Sequence, residues 1–213
     1  MRLVDGRPLA PSFAKRNAAR GPFSQKAMQV HEPRPAGPGS RAADTELVEL
    51  ARRRDEEAYR RLYARYAHYL GGVIFRILGA DPELDDIVQE SFVDAIGGIG
   101  SLQNAERLRP WLVTIAVRKV HRLLAARRRR AKLAGTLAIL WPTSHTPAGE
   151  WSADELSRAL ERVPSKLRIP WTLSRIEQLD LTDVALACAI SVATAKRRIG
   201  EADHRLRSWL ELP

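Results

Sequence analysis

The sequence predicts an all-α protein, two small helical domains joined by a flexible linker. Apolar residues recur at three- and four-residue spacing through most of the chain after Thr45, and no segment alternates with the two-residue period of a strand. Pro, Gly and polar residues gather in two stretches that separate the periodic ones. A chain of 213 residues suffices for one large domain or two small ones. The expected boundaries are a disordered basic tail over 1–40, a first helical domain over 41–132, a linker over 133–152 and a second helical domain over 153–213.

Each element has a local reason. The tail is rich in Pro, Gly, Ala and Arg and lacks sustained periodicity. A short helix is expected over 46–53, and Asp55 is a good N-cap for a longer one. In that longer helix Ala58, Leu62, Tyr66, Leu70, Val73, Ile74 and Ile77 form one apolar stripe, and Gly79 offers a C-terminal cap. A third helix is expected over 82–96, with Leu84, Ile87, Val88, Phe92 and Ala95 inward and acidic residues outward; Gly97, Gly98 and Gly100 are expected to break it. After a polar loop over 101–106, a fourth helix starts near Pro110 and reaches the Arg127–Arg130 cluster, burying Leu112, Ile115, Ala116, Val120 and Leu123. The second unit reads as helices over 153–163, 165–177, 182–189 and 192–210. Its last two helices have helix-turn-helix form, with Ser191 capping the second and Ala189 standing where a glycine is usual.

The composition excludes several function classes. Hydrophobic residues make up 45% and charged residues 28%, the balance of a folded soluble chain. The single cysteine, Cys188, rules out an intramolecular disulfide and a thiolate-rich zinc site, and is expected to be an inert small hydrophobe. His31, His68, His121, His145 and His204 are scattered, with no pair at metal-ligand spacing, and there is no phosphate-cradling Gly-rich motif. Neither catalytic residues, a metal nor a cofactor is therefore expected. The longest uncharged stretch, over 133–149, contains Pro142 and polar residues, so no membrane insertion is expected and a cytoplasmic location is the default.

Charge is informative through its arrangement. The chain carries 35 Lys and Arg against 25 Asp and Glu, a formal +10, which suits a polyanionic partner. No basic residue falls between Arg76 and Arg107, where Asp81, Glu83, Asp85, Asp86, Glu90, Asp94 and Glu106 lie. From Arg107 to Lys132 there are ten basic residues and no acidic one. Adjacent blocks of opposite sign suit two partners, one basic and one acidic, or else the solvated faces of two helices. Trp111 lies among the arginines, where it could stack on an unpaired base or seal the core.

Four stretches taken together resemble the extracytoplasmic-function sigma factors, a group of the sigma-70 family. Asp55-Glu-Glu-Ala-Tyr-Arg-Arg-Leu-Tyr-Ala-Arg-Tyr66 is similar to the start of the family's region 2, and Asp85-Asp-Ile-Val-Gln-Glu-Ser-Phe92 to its polymerase-binding signature. Leu108-Arg-Pro-Trp-Leu-Val-Thr-Ile-Ala116 is similar to the promoter-melting segment, and residues 179–202 to the region 4 helix-turn-helix. The resemblance implies a transcription initiation factor whose partners are core RNA polymerase (the β′ clamp helices and the β flap), promoter DNA and, commonly in the family, an anti-sigma factor. It places Asp85, Asp86, Gln89 and Glu90 against polymerase. It gives Gln103 and Asn104 to a flipped base of the −10 element, and Arg107, Arg109, Trp111, Arg118, Lys119 and Arg122 to the opened strand. It gives Val192, Ala193, Thr194, Lys196, Arg197 and Arg198 to the −35 element. A stand-alone helix-turn-helix regulator is the alternative; it leaves the acidic block and the Trp111 segment without a role.

Overall fold

The structure, a computed structural model, describes residues 38–133 and 159–210. The tail over 1–37, most of the linker and most of the helix expected over 153–163 lie outside the described residues. Every regular element among the described residues is helical.

Helix α1 spans Pro38–Arg52, α2 Glu56–Leu78, α3 Leu84–Gly98 and α4 Leu108–Leu133. Short 3-10 turns, Ile99–Ser101 and Ala105–Arg107, join α3 to α4. In the second unit, α5 spans Ser165–Trp171 and continues as a π-helical turn over Thr172–Ile176; α6 (Leu181–Cys188) and α7 (Val192–Leu210) follow.

Two boundaries differ from expectation. Helix α1 begins at Pro38, well before the expected Glu46 and inside the stretch read as tail. Helix α3 runs through Gly97 and Gly98 to the 3-10 turn. Each helical glycine costs about 1 kcal/mol relative to alanine, which the tertiary packing of Phe92, Ala95 and Ile99 on either side offsets.

The capping logic holds where it is most local. Asp55 accepts a hydrogen bond from the Ala58 N–H at 2.9 Å, closing the exposed start of α2. Gly79 ends that helix at φ 77°, a conformation glycine adopts without strain. Along α2 all seven residues of the predicted stripe are buried, with Leu70, Val73, Ile74 and Ile77 at 0% exposure. Of the predicted α4 stripe, Leu112, Ala116 and Val120 are buried while Ile115 and Leu123 are half-buried; Val113, Val117 and Leu124 are buried instead, because α2, α3 and α6 all pack on this helix.

Pro170 lies inside α5, near its end. Proline lacks the N–H that would continue the ladder, and the following turn widens so that the Glu177 N–H reaches the Thr172 carbonyl at 3.0 Å. That wide turn carries Glu177 into the interior, where it is 1% exposed. The helix-turn-helix turn is made by Ala189, which sits in the left-handed region at φ 52°, ψ 47°. Its N–H and that of Ile190 close on the carbonyls of Leu186 and Ala185, a Schellman-type ending that glycine usually supplies.

Candidate nucleic-acid interface

The acidic block lies along α3. Asp86 and Glu90 are exposed, and Asp85 and Gln89 are half-buried on the same helix. Burial and the neighbouring Asp86 push the Asp85 carboxyl above its ordinary value. At the start of α3, Arg127 donates to Asp81 at 2.5 and 2.8 Å and to Glu83 at 3.0 Å, tying the far end of α4 to the entry of α3. Burial alone would raise Asp81, but the Arg127 guanidinium and the Glu83 N–H hold it below the ordinary carboxylate value.

The loop before α4 is built by side chains on both sides. Arg52, at the end of α1, donates to the Leu102 carbonyl and fixes the middle of the loop. Asn104 accepts from the Glu106 N–H at 2.9 Å, so its carbonyl oxygen is used in capping the turn that leads into α4. Gln103 is exposed beside it. Trp111 is half-buried, its ring edge 3.6 Å from where a Gly98 Cβ would stand. It lines, with Tyr59, Phe92 and Leu112, an apolar void of about 10 Å³, room for no more than a single water.

The cations assigned to DNA divide into three kinds. Arg118 and Arg122 are exposed, Arg122 lying 3.8 Å from Asp94. Lys119 is buried at 8% exposure and pairs with Glu90 and Asp94 of α3, so it joins the acidic helix to the basic one. Arg107 and Arg109 are engaged by the second unit. Arg107 pairs with Asp183 and lies 3.7 Å from Asp180; Arg109 donates to the Glu177 carbonyl at 2.9 Å and lies 3.5 Å from its carboxylate.

These carboxylates, together with Arg76 and Tyr69 on α2, are the residues that sequence reasoning missed. Arg76 donates to Glu177 at 3.1 and 2.5 Å, and Arg109 donates to the Tyr69 hydroxyl at 2.9 Å. Burial lowers the Arg109 guanidinium, but Tyr69 and Glu177 more than restore it and leave it above its ordinary value. Burial and Glu177 push the Tyr69 hydroxyl up. The one signal in the sequence was the three-residue spacing of Glu177, Asp180 and Asp183 in a segment whose overall charge is balanced.

At the start of α7, Val192, Ala193, Lys196 and Arg197 are exposed, and Thr194 and Arg198 are half-buried. Ser191 accepts from the Thr194 N–H at 3.2 Å, the cap expected for a recognition helix. Burial pushes the Cys188 thiol up to about 12, so it stays protonated and unreactive. Among the described residues no group of three or more His, Cys, Asp or Glu is placed to hold a metal ion, and no helix is long and apolar enough to cross a membrane.

Comparison with known proteins agrees with this geometry. The family model described as sigma-70 region 2 matches residues 62–130, the segment that contains α3, the loop and most of α4. The RNA polymerase sigma-H factor of Pseudomonas aeruginosa is 28% identical over 181 residues, covering 79% of this chain and 94% of that protein. The ECF RNA polymerase sigma-E factor of Haemophilus influenzae is also 28% identical, over 79% of this chain and 95% of that protein. Among solved structures, the sigma factor RpoE of Bartonella quintana in complex with the anti-sigma factor NepR shares the fold with a TM-score of 0.62 at 19% identity, covering 72% of this chain and 97% of that chain. CnrH in complex with the cytosolic domain of CnrY shares it with a TM-score of 0.57 at 23% identity, covering 79% and 97%. The fold and the matched segment are thus similar to those of RNA polymerase sigma factors: residues 62–130 match sigma-70 region 2, and most of the chain is similar to an extracytoplasmic-function sigma factor.

Proposed function

We propose that the chain recruits core RNA polymerase to a dedicated set of promoters and helps to open them in the cytoplasm. The exposed edge of α3, with Asp86 and Glu90 outermost and Asp85 and Gln89 beside them, docks on the polymerase β′ clamp helices. The start of α7 reads the −35 element in the major groove, where Lys196 and Arg197 meet phosphates and Val192, Ala193 and Thr194 approach base edges. The second unit also meets the β flap. Between the two units, the loop at Gln103 receives the flipped −10 base, and Arg118 and Arg122 hold the opened strand by charge.

Two positions take a different role from the one the resemblance implies. Lys119 is a strut between α3 and α4, so it orients the polymerase-facing helix against the DNA-facing one. Trp111 packs against Gly98 and carries the base loop from below. The observation that most supports the whole reading is the exposed acidic edge of α3 set directly against the basic α4. A free-standing DNA binder has no use for such an edge. An anti-sigma factor is the expected regulator, by likeness to RpoE in its complex with the anti-sigma factor NepR.

Core binding tests the assignment. The variant Asp86→Lys/Glu90→Lys, checked for helical content, should bind purified core polymerase at least about tenfold more weakly, because like charges then face each other across the interface. Unchanged core binding would sink the assignment of α3.

A further inference from the structure

Arginines of α2, of the 3-10 turn before α4 and of α4 itself are matched by carboxylates three residues apart. Glu177 faces Arg76 and Arg109, and Asp180 and Asp183 face Arg107. Glu177 is the most deeply held of these, at 1% exposure, between two guanidinium groups. Two guanidinium groups converge on this one carboxylate, and a DNA phosphodiester offers the same single negative charge spread over two oxygens. The seat is shaped as well as charged. The Tyr69 hydroxyl accepts from Arg109 Nε at 2.9 Å, and the Arg109 guanidinium lies 4.8 Å from the Tyr69 ring centre. At Gly72 an added Cβ would stand 3.3 Å from an Arg76 guanidinium nitrogen, so the absence of a side chain there leaves space for that group to lie along α2.

We infer that Arg76, Arg109 and Tyr69 form a seat for a backbone phosphate of single-stranded DNA, and that Glu177, followed by Asp180 and Asp183, occupies this phosphate track as an internal stand-in for nucleic acid. The inference rests on the promoter-opening function proposed above and adds Arg76 and Tyr69 to it. A guanidinium fork binds carboxylate and phosphate with the same geometry, so the two occupants exclude each other. DNA then engages Arg107 and Arg109 only after the second unit has withdrawn its carboxylates. Arg76 has no base edge to read and contributes affinity without sequence preference.

The test uses the full chain without polymerase and a fluorescent twenty-nucleotide oligodeoxythymidylate as probe, titrated across a salt series. Glu177→Gln should bind the probe about tenfold more tightly than the parent chain, with a salt slope steeper by about 0.7 for each phosphate newly engaged. Adding Arg76→Gln in the same chain should take back about 0.7 of that slope. Equal affinity and slope for the parent and Glu177→Gln would overturn the inference, as would a double variant no different from Glu177→Gln. Should Glu177→Gln fail to fold, Arg76→Gln alone, bound to core polymerase on a forked promoter fragment, carries the test. It should lower the salt slope by the same amount on every promoter sequence; an unchanged slope would overturn the seat. A parent chain that forms no promoter complex with core would refute the initiation reading, while the oligonucleotide titration would still decide the phosphate seat.

Discussion

Lys119 on α4 places its ammonium 2.8 Å from an Asp94 carboxylate oxygen on α3, with Glu90 at 3.2 Å. Its side chain is 8% exposed, while the acidic partners remain largely in solvent. This pair joins the two blocks of opposite charge into one structural unit. Lys119→Met should therefore cost about 1 kcal/mol of stability and leave the salt slope of DNA binding untouched. Arg118→Ala should do the reverse, keeping stability and lowering the slope by about 0.7 to 0.9, one phosphate's worth. Chemical denaturation and salt titrations of the two variants side by side check the distinction.

Asp81 is held below its ordinary value because Arg127 and the Glu83 N–H outweigh the effect of burial. A carboxylate depressed in the folded state stabilises the fold fully above its unfolded value, near 4, and loses that contribution as pH falls through the folded value. Asp81→Asn should cost about 2 kcal/mol at neutral pH, the worth of charge-assisted hydrogen bonds at a nearly buried side chain. Urea midpoints at pH 7 and near pH 3 should show the gap between parent and variant shrinking in acid.

His121 is shifted downward as well, and here the shift disfavours the charged form. Burial and the nearby Arg128 and Arg198 hold its imidazole below the ordinary 6.5. Below that pH the unfolded chain binds more protons than the folded one, so stability falls as the solution is acidified. His121→Gln should flatten the pH dependence of the unfolding midpoint between pH 7 and pH 5. An identical slope in the variant would assign the acid sensitivity to other groups.

Ala189 holds a left-handed backbone without being glycine. Left-handed geometry costs an alanine about 1–2 kcal/mol, partly offset by the greater entropy glycine loses on folding. Ala189→Gly should raise stability by about 0.5–1 kcal/mol, read as an upward shift in melting temperature, with recognition by α7 preserved.

The parts legible in the sequence are those governed by one local face. Every residue of the predicted α2 stripe is buried because it lies on that helix's core-facing side, and Asp55 and Ser191 could be read as caps because capping is settled within three residues. The α4 stripe was incomplete because helices pack on it from more than one direction; Val113 and Val117 lie off the predicted line and are buried all the same. Glycine propensity wrongly stopped α3 at Ile96, because tertiary packing outweighs a cost of about 1 kcal/mol per residue. The candidate site was legible in its charge blocks and less so in its pairings. Lys119 looks like any other cation of the basic run until its partners on α3 are seen. Glu177 meets Arg76 across 101 residues of sequence, a separation at which no local pattern speaks.

Sequencing the 5′ ends of transcripts made in vitro by purified core polymerase plus this chain, on a genomic DNA template, tests the central claim most directly. Starts clustered downstream of one shared pair of −35 and −10 elements, absent with core alone, are the predicted result. Tight duplex binding by the chain alone, with core polymerase producing no new starts in its presence, would contradict it.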